Sequence, residues 1–160
     1  MLWMEKGEVQ FAKTFSTVDG IGSAHYKDHV YFLGGDPEKG KTAYFHRMKI
    51  KDYKFEKYEI DYGPILRCNH LMVGLNGTIF VLGGDSNAIG FSERIVNNDI
   101  WGFSISSKKW EKYGNIDNDI FQGRRFYGFT TVGDTIVISD GVSYTNKYCP
   151  GFIGYNPEKK

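Results

Sequence analysis

The sequence predicts an all-β chain built from four-stranded antiparallel sheets, on the basis of three observations. A short apolar segment that ends in a glycine-rich turn occurs at residues 31–36 and 80–85, and more weakly at 137–141. A lone aromatic residue in a lysine-rich segment follows the first two copies, at Phe55 and Trp110. No segment shows the helical period of apolar residues. Self-similarity at a fixed period of this length is typical of repeat architectures.

The spacing supports a common register for the repeat. The intervals from an aromatic residue to the next glycine position are 31, 28 and 30 residues, counted from Trp3, Phe55 and Trp110. From the glycine position to the next aromatic residue the intervals are 21 and 27 residues, so the second unit carries an insertion after its glycines. Loops accept such insertions at little cost. The sequence therefore predicts three copies of one structural unit.

Short strands separated by turns are predicted within each unit. In the second unit, Asn76-Gly77 is a two-residue hairpin signal between two strands, and a long loop is expected from residue 85 to residue 98. The strands predicted for this unit are 67–74, 78–82, 100–105 and 109–113. Those of the first unit are 21–26, 29–33, 43–50 and 54–60, and those of the third are 125–132, 135–139 and 151–155.

Four strands per unit, a glycine pair after the second strand and an aromatic residue in the fourth resemble the kelch repeat of β-propellers. The second unit has Arg67, His70, Asn98-Asp99 and Trp110 where kelch repeats usually carry such residues. The resemblance covers nearly the whole chain. It implies a structural role in the repeat for Trp3, Gly34, Gly35, Phe55, Gly83, Gly84, Trp110 and Gly141.

The outer units depart from the kelch pattern. The first unit lacks the Arg and the His, and has Phe55 in place of the tryptophan. The third unit keeps Arg124 and Gly141 but has Ser139-Asp140 where a glycine is usual. These departures make the middle unit the clearest kelch-like blade.

The resemblance implies a closed ring, which usually needs four to eight blades. Residues 14–60, 61–114 and 115–160 are expected to form three blades, the third without its last strand. Residues 1–13 are expected to supply the last strand of a preceding or closure blade, followed by a linker. Either these blades are a segment of a longer propeller, or a second copy or another subunit closes the ring. We favour the first explanation, because the sequence stops in the middle of a predicted blade.

Composition and charge exclude several functional classes. Twenty Lys and Arg residues against nineteen Asp and Glu residues leave a net charge of +1, so no global field attracts nucleic acid or an anionic membrane. No apolar stretch approaches the ~20 residues of a membrane span, and residues 1–10 contain no hydrophobic core of a signal peptide. Two cysteines make no disulfide framework. We expect an intracellular, cytoplasmic protein, with the cytoskeleton or cilium as an alternative place.

No motif predicts catalysis or a cofactor. The nucleophile elbow, Walker loop, HExxH, EF-hand loop and CxxC pair are all missing from the sequence. Cys68 and His70 face the same side of a predicted strand and could form a soft metal site with Cys149. A buried structural cysteine and a hydrogen-bonded histidine explain them more simply. We therefore expect no enzymatic activity, no metal and no cofactor.

Loop residues are the candidates for partner binding. Arg67, Arg124 and Arg125 lie where strands begin, and the resemblance implies that such arginines often face the ligand surface. Arginine binds carboxylates bidentately, which would suit an acidic partner. The alternative is that these arginines tie neighbouring blades together through backbone carbonyls. The further candidates, in the loops after the second strands, are Phe91, Arg94, Tyr144 and Tyr148.

The sequence favours a non-catalytic kelch-type module that binds protein partners through its propeller loops. A structural subunit of a large cytoskeletal or ciliary assembly is the first alternative, because exposed sheet edges need a neighbour to cover them. A kelch-like enzyme with a site in the central pocket, an oxidase or a sugar isomerase, is the second. The fold alone does not decide among them.

Overall fold

A computed structural model describes most of the chain, and its regular elements are β-strands. It describes residues 2–5, 8–11, 20–34, 45–87, 94–116, 124, 127–143 and 145–159. Among these residues there are fifteen strands and no helix, so the expected all-β class is confirmed. No helix long and apolar enough to cross a membrane occurs in the described part of the chain.

The strands form three successive antiparallel sheets, which we call blades 1, 2 and 3, and two separate hairpins. The hairpins are β1 (Leu2–Glu5) with β2 (Glu8–Phe11), and β9 (Asp85–Asn87) with β10 (Arg94–Val96). Blade 1 contains β3 (Gly22–Tyr26), β4 (His29–Leu33), β5 (Phe45–Lys49) and β6 (Phe55–Tyr58), paired in that order. Blade 2 contains β7 (Leu71–Leu75), β8 (Thr78–Leu82), β11 (Asp99–Ser104) and β12 (Lys109–Asn115). Blade 3 contains β13 (Gly128–Val132), β14 (Thr135–Ser139) and β15 (Phe152–Tyr155).

Backbone conformation explains two features of the turns. Asn76 and Gly77 both have positive φ, 47° and 78°, and join β7 to β8 as a tight hairpin, as the sequence predicted. Gly83, the first residue of the glycine pair in blade 2, has φ 63°. Asp140 takes the same position in blade 3 with φ 53°, a conformation that aspartate tolerates better than most residues. The turn is therefore conserved in shape where the glycine is lost.

Three predictions about strands need correction. The long loop after β8 contains the β9–β10 hairpin, whose three-residue strands are too short to show a period in the sequence. The first strand of blade 2 begins at Leu71, because Asn69 has φ 54° and interrupts the extended backbone that was predicted from residue 67. Residues 1–13 contain two paired strands, where one strand and a linker were predicted.

Two hydrophobic clusters join the blades, and we call them the first and second seams. The first seam lies between blades 1 and 2, and its buried residues are Ala24, Tyr31, Leu33, Phe45, Met72, Ile79, Val81, Trp101, Phe103 and Trp110. The second seam lies between blades 2 and 3, and its buried residues are Leu71, Val73, Phe80, Leu82, Ile100, Ile136 and Ile138. Blade 2 thus buries one face against blade 1 and the other against blade 3, which is the packing of a propeller.

The first strands of blades 1 and 2 lie side by side. A Cβ atom at Gly74 would stand 2.6 Å from the backbone oxygen of His25, so only glycine fits this close approach. Of the other repeat residues, Trp110 is buried in the first seam, and Phe55 lies with its ring centroid 6.2 Å from that of Phe32. Gly35 and the side chain of Trp3 lie outside the described part of the structure.

Candidate functional site: the loop end of the blades

The candidate site lies at one end of the blades, which we call the loop end. There the second strand of each blade finishes and the first strand begins, so the loops between them meet. An isolated bridge between Cys68 and Asp85 and a backbone hydrogen bond from Gly84 to Arg124, 3.3 Å long, tie these connections together. Loops held on a rigid scaffold in this way are where binding residues usually lie.

Arg67 lies beneath this end and not on its surface. Its side chain is fully buried and donates from Nη1 to the backbone oxygen of Gly83 at 3.1 Å and from Nε to that of Ile65 at 3.2 Å. Nη1 and Nη2 also form a bidentate pair with Asp99, with the longer bond at 3.0 Å. This geometry matches the alternative in which the arginine ties the chain together, and a guanidinium without exposure cannot contact a partner directly.

Asp99 completes this buried network. Its carboxylate accepts a further hydrogen bond from Trp101 Nε1 at 2.8 Å. Burial by itself would raise the pKa of Asp99, but the hydrogen bonds from Arg67 and Trp101 outweigh it and hold the pKa below its usual range. The carboxylate is therefore ionised at neutral pH and holds the guanidinium in a fixed place.

Arg124 repeats the arrangement in blade 3. Its side chain is also buried, and Nη1 donates to the backbone oxygen of Asp140 at 3.0 Å, as Arg67 does to Gly83. The two arginines thus hold equivalent turns in successive blades. Among the other predicted partner-binding residues, Arg125, Phe91 and Tyr144 lie outside the described residues, as does the side chain of Arg94.

Cys68, Asn69 and Asp85 form a buried polar cluster near the same end. Cys68 Sγ and Asn69 Nδ2 each donate to Asp85 Oδ1 at 3.0 Å. Cys149 lies apart from them and points toward the backbone oxygen of Lys147, at 3.5 Å. Within the described ranges, no group of three or more His, Cys, Asp or Glu side chains could hold a metal ion.

His70 lies between blades 1 and 2. Its ring fills the space in which a side chain at Gly22 would stand, and it also packs against Gly34 and Gly84. Neither ring nitrogen has a hydrogen-bond partner among the described residues. Burial, assisted by the charge of Arg67 and opposed by that of Asp85, lowers the pKa of His70 to about 3, so the ring is neutral.

Exposed apolar side chains form the outer part of the loop end. We call the three residues Ile65, Ile95 and Tyr148 the loop surface; they are 56%, 49% and 68% exposed. Only Tyr148 was predicted from the sequence. Ile65 lies on the connection from blade 1 to blade 2, and the Gly63-Pro64 dipeptide before it is the turn signal that could have marked it. Tyr62, on the same connection, packs against Trp101 with ring centroids 5.2 Å apart.

Comparisons with known proteins agree with this architecture. No protein-family model matches the chain. Kelch-like protein 40 of Xenopus laevis is 31% identical over 94 residues, which are 57% of this chain and 15% of that protein. Kelch-like protein 40 of Mus musculus is 28% identical over 112 residues, 68% of this chain and 17% of that protein. The solved structure of YjhT matches with a TM-score of 0.74 at 14% identity, over 91% of this chain and 44% of that one.

The chain spans less than a fifth of the curated relatives that it matches, and less than half of the YjhT chain. YjhT, at 14% identity, supports the fold alone, as a kelch-type propeller. The chain is similar in sequence to kelch-like proteins, and its strands form propeller-type blades that repeat the arginine and glycine positions. On these grounds together, the chain is similar in sequence to kelch-like proteins and has the fold of a kelch-type propeller.

Proposed function

We propose that the chain is a non-catalytic interaction module that binds a protein partner through the loop surface. The supporting observation is the exposure of Ile65, Ile95 and Tyr148 in connections at one end of the blades. Tyrosine and large aliphatic side chains contribute most when a partner covers them. We expect the module to act inside the cell, in the cytoplasm or at the cytoskeleton or cilium.

In this proposal the surface of the chain that contacts the partner is mainly apolar. The expectation of an acidic partner depended on exposed arginines, and Arg67 and Arg124 are turned inward. Arg94 and Arg125 remain as the arginines that could attract an acidic partner. The proposal therefore places affinity in apolar contacts at Ile65, Ile95 and Tyr148, and leaves charge to these two positions.

The experiment compares three forms of the chain in partner capture. The wild-type chain, the triple variant Ile65→Ser/Ile95→Ser/Tyr148→Ser and the control Val132→Ser are immobilised, and retained proteins are quantified by mass spectrometry. Val132 is a matched control because it is 66% exposed but lies on β13 of blade 3. We expect a protein that the wild type and the control retain and that the triple variant loses by at least about tenfold. A triple variant that retains every protein at the wild-type level would contradict the proposal.

A structural subunit of a larger assembly is the second candidate. Blade 3 supports it, because all five residues of β13 are exposed and Phe152 of β15 is 81% exposed. A sheet face with this exposure invites a neighbour. The same capture experiment distinguishes the two candidates: loss of the partner from Val132→Ser, with retention by the triple variant, would favour the assembly.

A further inference from the structure

A cleft opens at the opposite end of the first seam, away from the loop surface. It has a volume of about 430 Å³, within the ~300–1,000 Å³ of small-ligand sites. Blade 1 contributes the turn between β3 and β4 together with Tyr31 and Arg47, and blade 2 contributes two turns. Thr78 and Ser104 are among the residues of blade 2 that line this cleft.

Arg47 belongs to a polar row that crosses blade 1. Tyr31, Arg47 and Glu56 are direct neighbours on adjacent strands. Arg47 Nη2 donates to Glu56 Oε2 at 2.7 Å, and the Tyr58 hydroxyl donates to the same oxygen at 3.1 Å. Burial would raise the pKa of Glu56, but the hydrogen bonds from Arg47 and Tyr58 keep it below its usual range. Arg47 and Glu56 are therefore both ionised at neutral pH.

Blade 2 shows that the blade architecture does not require this arginine. Gly102 of blade 2 holds the position of Arg47. It pairs with Phe80 on one side and Glu111 on the other, as Arg47 pairs with Tyr31 and Glu56. A Cβ atom at Gly102 would stand 2.6 Å from the ring of Tyr113, which occupies this position in place of a side chain. The arginine is thus a departure from the repeat, and such departures concentrate at functional positions.

The guanidinium keeps hydrogen-bond donors that its neighbours do not use. Arginine has five N–H donors, and Arg47 binds Glu56 and the Tyr31 hydroxyl. Its Nε is buried and has no hydrogen-bond partner among the described residues, so the donors open to the cleft are on the Nη atoms. Lys27 and Arg47 bring two positive charges, which Asp28 and Glu56 balance. An anion must therefore compete with Glu56 for the guanidinium, whose forked donors suit an oxyanion.

We propose that this cleft binds an oxyanion, a carboxylate or phosphate group, on the guanidinium of Arg47. Thr78 and Ser104 line the cleft from blade 2, and the Ser104 hydroxyl lies 3.2 Å from that of Ser106. Glu56 is the internal competitor, since its side chain is 54% exposed whereas that of Arg47 is 20% exposed. An anion that enters the cleft therefore competes with Glu56 for the hydrogen bonds of the Arg47 guanidinium.

The test is a titration of the full chain, followed by NMR on the arginine Nε–Hε signals. Succinate and inorganic phosphate are the two probes. The probe that binds with the lower Kd shows whether the cleft prefers a carboxylate or a phosphate group. We expect a saturable shift of the Arg47 signal and a loss of affinity of at least about tenfold in Arg47→Met. The control Lys51→Met removes an exposed charge outside the cleft lining and is expected to change affinity by less than about twofold.

Glu56→Gln provides a test in the opposite direction. Removing the competing carboxylate is expected to tighten binding about three- to tenfold, whereas a purely structural pair would give no tightening. An Arg47 signal that neither probe shifts overturns the proposal, as does equal weakening in Arg47→Met and Lys51→Met. If Arg47→Met does not fold, Arg47→Lys replaces it. Lysine lacks the forked donor geometry of arginine, so Arg47→Lys is expected to weaken anion binding. An anion affinity equal to that of the wild type overturns the proposal.

Discussion

The two seams between blades use the same repeat positions with different side chains. In the first seam, the ring of Phe45 meets those of Phe103 and Trp110 edge to face, with centroids 4.6 and 5.0 Å apart. In the second seam, the position of Phe45 is taken by Ile100, since each residue pairs with the last residue of its blade's second strand. The register of the strands determines where a side chain stands, and the residue type then determines how strongly each seam is held.

The residue before the first strand shows the same contrast. His70 of blade 2 enters the first seam without a described hydrogen bond. Tyr127 holds the same position in blade 3, where its hydroxyl accepts from the Leu71 amide at 2.9 Å and donates to the Leu82 oxygen at 2.6 Å. The first seam thus depends on aromatic packing and the second on a buried hydrogen bond. Each dependence can be removed separately.

Removing the aromatic centre of the first seam is expected to have the largest effect. Phe45→Ala deletes a side chain with no exposure and its two edge-to-face contacts, and should lower the free energy of unfolding by about 3–5 kcal/mol. Ile100→Ala, at the matched position of the second seam, should cost less, about 2–3 kcal/mol. Urea unfolding followed by circular dichroism measures both values.

The control for this comparison is Phe152→Ala. Phe152 is 81% exposed, so its removal should change the free energy of unfolding by less than about 0.5 kcal/mol. A larger loss from Ile100→Ala than from Phe45→Ala would show that the aliphatic seam is the stronger one, and would reverse the comparison.

Removing one hydroxyl group tests the second seam. Tyr127→Phe leaves the Leu71 amide and the Leu82 oxygen without this partner, and should lower the free energy of unfolding by about 1–3 kcal/mol. The control Tyr113→Phe removes a hydroxyl that no described hydrogen bond uses, at the edge of the same seam. Equal effects of the two variants in urea unfolding would show that the Tyr127 bonds contribute nothing specific.

The strands could be predicted from the sequence because local signals determine them. Residues 29–33, 78–82 and 135–139 were predicted with the bounds that the structure shows, since turn residues flank each apolar run. The β9–β10 hairpin has no such signal, because three residues per strand establish no alternation. Local patterns therefore predict the blades but not the short pairings within their loops.

The direction of a buried polar side chain could not be predicted in the same way. Arg67 turns inward because Asp99, which lies 32 residues later, accepts its bidentate pair there. Likewise, Arg47 has no pattern in the sequence that marks it, because Glu56 and Tyr31 become its neighbours only through strand pairing. The candidate residues of the loop surface were missed for the same reason: exposure depends on what the rest of the chain covers.

Lowering the pH should weaken the first seam through His70. The unfolded chain takes up a proton near the ordinary histidine pKa of 6.5, whereas folded His70 takes it up only at about 3. The free energy of unfolding should therefore fall as the pH falls below 6.5, by up to about 1.4 kcal/mol per pH unit from this group. His70→Asn should flatten part of this slope between pH 7 and pH 5, above the range in which Asp99 titrates. His46, whose pKa burial also lowers, supplies a remaining slope. The exposed His25 is the matched control, and a slope that His25→Asn flattens while His70→Asn leaves it unchanged would exclude His70 as the source.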